Sequence, residues 1–223
     1  MTAIDIVRAP SSAVQSVLPL LMAQATHDLN NQLTTILGQS ELALMVDDAA
    51  RWKRSLNDIQ QAGRFAQRLV ADIQKILTWS LPHQEPVQVG DILDLVRRLS
   101  LRRAEQRKIE LRVEGDAAHS MREGAPEIAL GLWFLVSYAL DRAPGSPARW
   151  SLHAEHFDRE FTRVTVRTPG AEWDLAAIDA ATRRQRLGSE PPADALDHTF
   201  ACLHAIGARG SVDASSFYVE LRR

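Results

Sequence analysis

His27-Asp28-Leu29-Asn30-Asn31-Gln32-Leu33 lies inside a long helical pattern, and its reading decides the architecture. With Leu18 at zero and about 100° per residue, Leu21, Ala25, Leu29, Leu33, Ile36 and Ala43 share one apolar stripe, within about 60° of its centre line. On the same wheel His27 lies about 180° from that stripe, and Asn31 and Thr34 lie within roughly 40° of it. The histidine is therefore expected to face outward, with an acid directly after it and an amide one turn on. Gly38 and Met45 continue the same face.

The helix around it is expected from about Val14 to Val46, with Ser16 as cap and Pro19 in the first turn. Asp47-Asp48-Ala49-Ala50 forms a short polar connection to a second helix over about Arg51 to Trp79. The stripe of that helix runs through Leu56, Ile59, Ala62, Gly63, Ala66, Leu69, Val70, Ile73 and Leu77. Two long helices joined by so few residues form an antiparallel hairpin. One hairpin cannot cover both broad stripes, so a symmetric homodimer closing a four-helix bundle is the simplest way to bury them.

The two prolines of Leu81-Pro82-His83-Gln84-Glu85-Pro86 mark a linker, and the pattern then turns mixed. A helix is expected over Val89 to Arg107, a strand over Lys108 to Glu114, and an apolar helix over Glu127 to Ala143 that ends at Pro144-Gly145-Ser146-Pro147. Arg149 to Phe157 and Phe161 to Arg167 alternate and pair as a hairpin across Asp158-Arg159-Glu160. Asp194 to Ile206 reads as a helix, and Ser211 to Arg222 as two short strands around Ala214-Ser215-Ser216. The fold class is α+β. Residues 1–80 make a dimerising helical hairpin, and residues 87–223 carry helices over a mostly antiparallel sheet.

Composition narrows the function. The chain has 223 residues, 45% hydrophobic and 24% charged, with a net charge of −2. That balance gives no reason to expect nucleic acid or a membrane surface as partner. A lone cysteine, Cys202, excludes an internal disulfide framework and fits a reducing cytosol. The start MTAIDIVRAP has no basic flank before an apolar stretch, and the longest apolar run, Leu18 to Ala23, is far short of a membrane span. A cytoplasmic protein with its input supplied by another molecule is expected. His153 and His156 face opposite sides of a strand, and His83, His119, His198 and His204 show no ligand spacing, so no metal site is expected.

An imidazole attacks phosphorus through its neutral nitrogen while the other nitrogen keeps the proton. Asp28 is placed to hold that tautomer, and Asn31 to orient a water or a phosphoryl oxygen. Two asparagines in mid-helix, Asn30 and Asn31, are costly enough to want a reason.

The run from His27 to Leu33, followed by Thr34-Thr35-Ile36-Leu37-Gly38, resembles the phosphoacceptor motif H-E/D-x-x-N-P-L of two-component sensor histidine kinases. Gln32 departs from it where the motif has proline. The resemblance implies that His27 is phosphorylated with the help of Asp28, and that Asn31 supports dephosphorylation of a partner receiver domain. The second part resembles the ATP-binding domain of that family in layout but not in its nucleotide residues. Tyr138 in Tyr138-Ala139-Leu140-Asp141-Arg142 stands where the family carries an Mg²⁺-binding asparagine. Thr168-Pro169-Gly170-Ala171-Glu172 stands where it carries D-x-G-x-G, and Glu172 to Leu187 contains no glycine for a phosphate-covering lid. Tyr138, Trp133 and Trp173 read as core or interface aromatics.

A kinase-shaped dimer without a nucleotide site resembles the histidine phosphotransferases of phosphorelays. That resemblance implies transfer between response-regulator receiver domains, no cofactor on this chain, and Mg²⁺ in the receiver. Catalysis would rest on His27, Asp28 and Asn31, and docking on Thr34, Gly38, Glu41 and Met45. Two alternatives stay open: an autokinase with an atypical nucleotide site, and a dimeric scaffold that binds receivers without chemistry.

Overall fold

The computed structural model describes residues 12–81, 85–115, 120–121, 123–143, 145–157, 161–187, 194–213 and 215–222. Pro82 to Gln84 of the expected linker, the Asp158 to Glu160 turn, His119 and Ala214 lie outside them. The chain divides into two units, Ser16–Leu77 and a larger one formed by Thr78–Arg223 with the stretch up to Gln15.

The smaller unit is the expected hairpin. Helix α1 spans Ser12–Met45 and α2 spans Ala49–Trp79. Asp48 caps α2 by accepting from the Ala50 amide at 2.9 Å, and the Trp52 indole donates to the Val46 carbonyl at 2.6 Å. Farther along, Ser55 donates to Gln39 Oε1 at 2.9 Å. Leu21, Ala25, Ala62, Leu69 and Ile73 are buried. Other members of the expected stripes are not: Leu33 is 52% exposed and Leu56 62%, while Val70 and Leu77 are also exposed. A pair of helices has only one shared face, and these side chains lie to its flank.

Pro19 corrects the expected helix start. Because α1 begins at Ser12, Pro19 sits inside the helix rather than in its first turn, and Ser16 is helical rather than a cap. A proline there removes an amide donor and crowds the carbonyl four residues back, which bends the helix.

The larger unit is a two-layer α/β sandwich. Its elements are β1 (Val87–Gln88), α3 (Val89–Gln106), β2 (Ile109–Gly115), β3 (Ser120–Met121), α4 (Ala125–Asp141), β4 (Ala148–His156), β5 (Phe161–Arg167), α5 (Leu175–Leu187), α6 (Ala195–Ala205), β6 (Arg209–Val212) and β7 (Ser216–Arg222). Five strands form one sheet in the order β2-β4-β5-β7-β6, with β2–β4 parallel and the other pairs antiparallel. The two-residue β1 and β3 pair separately, a small sheet that no sequence alternation announces. Every residue of α4 from Ala125 to Leu140 is buried, with α3 and α6 packed against it. A helix apolar on all sides belongs in such a central place. Asp194 caps α6 by accepting from the Asp197 amide at 2.9 Å. Asp197, only 2% exposed, is matched by Arg184 of α5 at 2.7 Å.

Candidate functional site

Midway along α1 the His27 side chain is 70% exposed. Its Nδ1 stands 3.4 Å from Asp28 Oδ1 and 3.3 Å from Asn31 Nδ2. No described residue bonds Nε2. The three residues expected to act together are thus together. Helical geometry brings Asn31 beside His27 one turn on, and Asp28 reaches the ring as the next residue along the chain.

The two neighbours favour opposite tautomers. Asp28 only accepts, so it favours a proton on Nδ1; the Asn31 amide donates and favours a lone pair there. A hydrogen bond to an ionised group is roughly twice as strong as a neutral one, so the carboxylate prevails. That balance favours the tautomer with the proton on Nδ1 and leaves Nε2 facing solvent.

The residues expected to dock a partner run down the same face. Thr34, Glu41 and Met45 are exposed and Gly38 is half-buried. The Thr34 hydroxyl donates to the Asn30 carbonyl at 2.9 Å, Thr35 to Asn31 at 2.9 Å and Ser40 to Ile36 at 2.7 Å. Three such back-bonds within one stretch bend a helix gently, in a segment whose motif position for proline is filled by Gln32. A Cβ built on Gly38 meets nothing within 4 Å, so the packing of this chain does not demand glycine there.

Sequence reasoning missed two features. Between the helices is an open notch of about 520 Å³, lined by Gln32 and Thr35 on α1 and by Asp58, Phe65, Arg64 and Arg68 on α2. No periodicity announces it, because it arises from the pairing of two helices. The second feature is Gln24, whose Nε2 donates to Asp28 Oδ2 at 3.2 Å. Its signal was available: glutamine four residues before aspartate is a known stabilising helical pair.

In the larger unit, Tyr138 on α4 is buried and stacks on Trp173, with centroids 6.1 Å apart and planes 16° from parallel. Trp173 in turn meets Phe217 at 5.7 Å. The Arg142 guanidinium lies 3.6 Å over the Tyr138 ring. Among the described residues the phenol finds no hydrogen-bond partner of good geometry, and burial raises its pKa above the ordinary tyrosine value. Thr168 is fully buried, its amide donating to the Ser215 carbonyl at 2.8 Å. The stretch after Glu172 is helix α5, started by Asp174, which accepts from the Ala177 amide at 2.9 Å. Among the described residues no cluster of three or more histidine, cysteine or acidic side chains could hold a metal ion, and no helix is long and apolar enough to cross a membrane.

A helical hairpin with an outward histidine, followed by this sandwich, defines a histidine-kinase-like fold. Solved structures agree. A structure described as a bacterial phosphotransferase superposes with a TM-score of 0.53 at 14% identity, over 96% of this chain and 99% of that one. The catalytic domain of histidine kinase ThkA gives 0.50 at 14% identity, over 62% of this chain and 95% of its own. At such identities the likeness establishes the fold and leaves the activity to the site. No protein-family model and no curated protein sequence matches the chain.

Proposed function

We propose that this chain is a histidine phosphotransfer protein of a two-component phosphorelay, passing phosphoryl groups between response-regulator receiver domains as a homodimer. The observation that carries the reading is the exposed His27 ring, with Nδ1 held by Asp28 and Nε2 open to an incoming group.

A phosphorylated receiver docks along the face of Thr34, Gly38, Glu41 and Met45. The Nε2 lone pair attacks the phosphorus of the receiver's aspartyl phosphate in line. The N–P bond forms as the P–O bond breaks, and the aspartate leaves as carboxylate with the bonding electrons. The imidazole becomes cationic, and Asp28 stabilises it through the Nδ1 proton. Mg²⁺ and the groups that neutralise charge on the transferring phosphoryl come from the receiver. A second receiver reverses these steps. Asn31, beside the ring, is placed to orient a phosphoryl oxygen or a hydrolytic water.

The residues of the larger unit do not fit ATP. Tyr138, at the position matched to a metal-binding asparagine, is turned into an aromatic stack with Trp173 and covered by Arg142. A phenol is a poor ligand for Mg²⁺, and α5 occupies the sequence that would supply a glycine-rich lid. The exposed apolar residues of the hairpin support the dimer: Leu33, Leu37, Leu56 and Leu77 are available to a second copy.

The test uses a receiver domain loaded with phosphoryl by a small donor, mixed with the full chain. The expected result is an acid-labile, alkali-stable label on His27 that passes to a second receiver and is absent in His27→Ala. Labelling by ATP and Mg²⁺ alone would instead make the chain an autokinase. Phosphoryl flow that survives His27→Ala would make it a scaffold.

A further inference from the structure

We infer that Arg64 and Arg68 of α2 form a cationic clamp for the acidic phosphorylation site of a docking receiver, which then spans both helices of the hairpin; the inference rests on the phosphotransfer reading above. Both arginines line the open notch of about 520 Å³, together with the half-buried Phe65. Both are exposed, and among the described residues neither makes a hydrogen bond or ion pair. Their level on the hairpin follows from Ser55, which meets Gln39 of α1 at 2.9 Å. The two helices rise equally in opposite directions, so His27, as far before Gln39 as Gln67 is after Ser55, stands level with about Gln67. Arg64 and Arg68 flank that level, while Asp58, the acid of the notch, stands about 9 Å nearer the loop than Arg64. Around α1, Thr35, Asn31 and His27 follow Gln39 in steps of about 40° on one side, and Leu33 and Leu37 lie on the other. Thr35 lines the notch, so the notch opens on the flank that leads round to His27. Around α2, Phe65 and Arg68 lie to one side of Ser55, and Leu56 and Val70 to the other. A second copy seated on the leucines leaves the arginines uncovered.

Charge names the occupant. From Ser12 to Met45, α1 contains no lysine or arginine, so it offers an anionic partner no cation beside His27. Between Ala49 and Trp79, α2 carries six arginines and lysines against two aspartates. A receiver brings the opposite sign to the same place, an aspartyl phosphate and the carboxylates that hold its Mg²⁺. Guanidinium is the group best shaped for carboxylate and phosphate oxygens, which it meets with two parallel N–H donors. With no partner on their own chain, Arg64 and Arg68 give up no ion pair to make these contacts. The α1 residues Thr34, Gly38, Glu41 and Met45 supply no positive charge, so on this surface the attraction comes from α2. Such exposed charges act chiefly on encounter and orientation. The arginines therefore bring the receiver to His27 and take no part in the chemical step.

The test compares the full-length wild type with Arg64→Gln combined with Arg68→Gln, which removes both charges and keeps helix propensity. A control, Arg107→Gln combined with Lys108→Gln, removes the same charge from the larger unit. Three quantities are read: kcat/KM and the saturated rate of transfer from a phosphorylated receiver, the affinity for the same receiver loaded with beryllofluoride, and the labelling of His27 by phosphoramidate, which needs no dock. At about 0.05 M salt the notch variant should lose about tenfold in kcat/KM and in affinity, the scale of two exposed charge contacts. Its saturated rate and its phosphoramidate labelling should match wild type, and the gap should close at about 0.5 M salt. The control should behave as wild type. Unchanged kcat/KM and affinity in the notch variant would overturn the inference, as would an equal loss in the control or a loss confined to the saturated rate. If phosphoramidate leaves wild-type His27 unlabelled, the phosphotransfer reading fails, and receiver affinity alone then decides the clamp; a wild type that binds no receiver overturns it.

Discussion

A neutral imidazole has one lone pair to offer, and in His27 the neighbours decide on which nitrogen it sits. Asp28→Asn replaces an acceptor of full charge by an amide that can donate to Nδ1. We expect it to slow transfer from a phosphorylated receiver on the order of a hundredfold, the lower end of acid–base assistance, while circular dichroism stays unchanged. In the larger unit His198 shows the opposite situation. It is buried against Phe134, with ring centroids 4.9 Å apart and Nδ1 without a partner among the described residues, and burial lowers its pKa below the ordinary 6.5. The unfolded chain takes up a proton near that ordinary value, where the native site resists it. The stabilising contribution is therefore full above it and is lost as pH falls through the lowered native value. Urea midpoints measured at about pH 7.5 and about pH 5.5 should show this decline, and His198→Phe should flatten it. On the same helix, burial pushes the Cys202 thiol up to about 12. A thiol reagent should modify it only as the protein unfolds.

At the scale of the element, α1 combines features that a stability-driven helix would avoid. Pro19 lies in its interior, Asn30 and Asn31 stand in mid-helix, and Gly38 has open space around it. Gly38→Ala tests what the glycine is for. With no atom in the way, alanine should stabilise the helix by about 1 kcal/mol, read as a higher thermal midpoint. If a receiver backbone comes close at this turn, the same change slows phosphotransfer; unchanged transfer would leave Gly38 with no docking role. Helix α4 is the contrasting case, buried over Ala125–Leu140. There Leu135→Ala, at a site with no exposure, should cost about 2–5 kcal/mol in denaturant titration.

At the scale of the whole molecule, the apolar residues left outside the hairpin argue for a second copy. Burying a leucine side chain contributes about 1.5–3 kcal/mol, so a face carrying Leu33, Leu37 and Leu56 has much to gain from closing. Sedimentation should give a particle of two chains, and Leu33→Glu combined with Leu56→Glu should shift it to one. The sequence by itself determined what local periodicity encodes. It set the two long helices, the outward His27 with Asp28 and Asn31 beside it, and the alternation of β4 and β5, because each depends on residues one to four apart. Only the tertiary structure decided which stripe residues are covered and that β2 runs parallel to β4 at the sheet edge. It also paired the two-residue β1 with β3 and brought Tyr138 under Arg142 and against Trp173. Those outcomes depend on groups far apart in sequence meeting in space, and no repeat along the chain records that meeting.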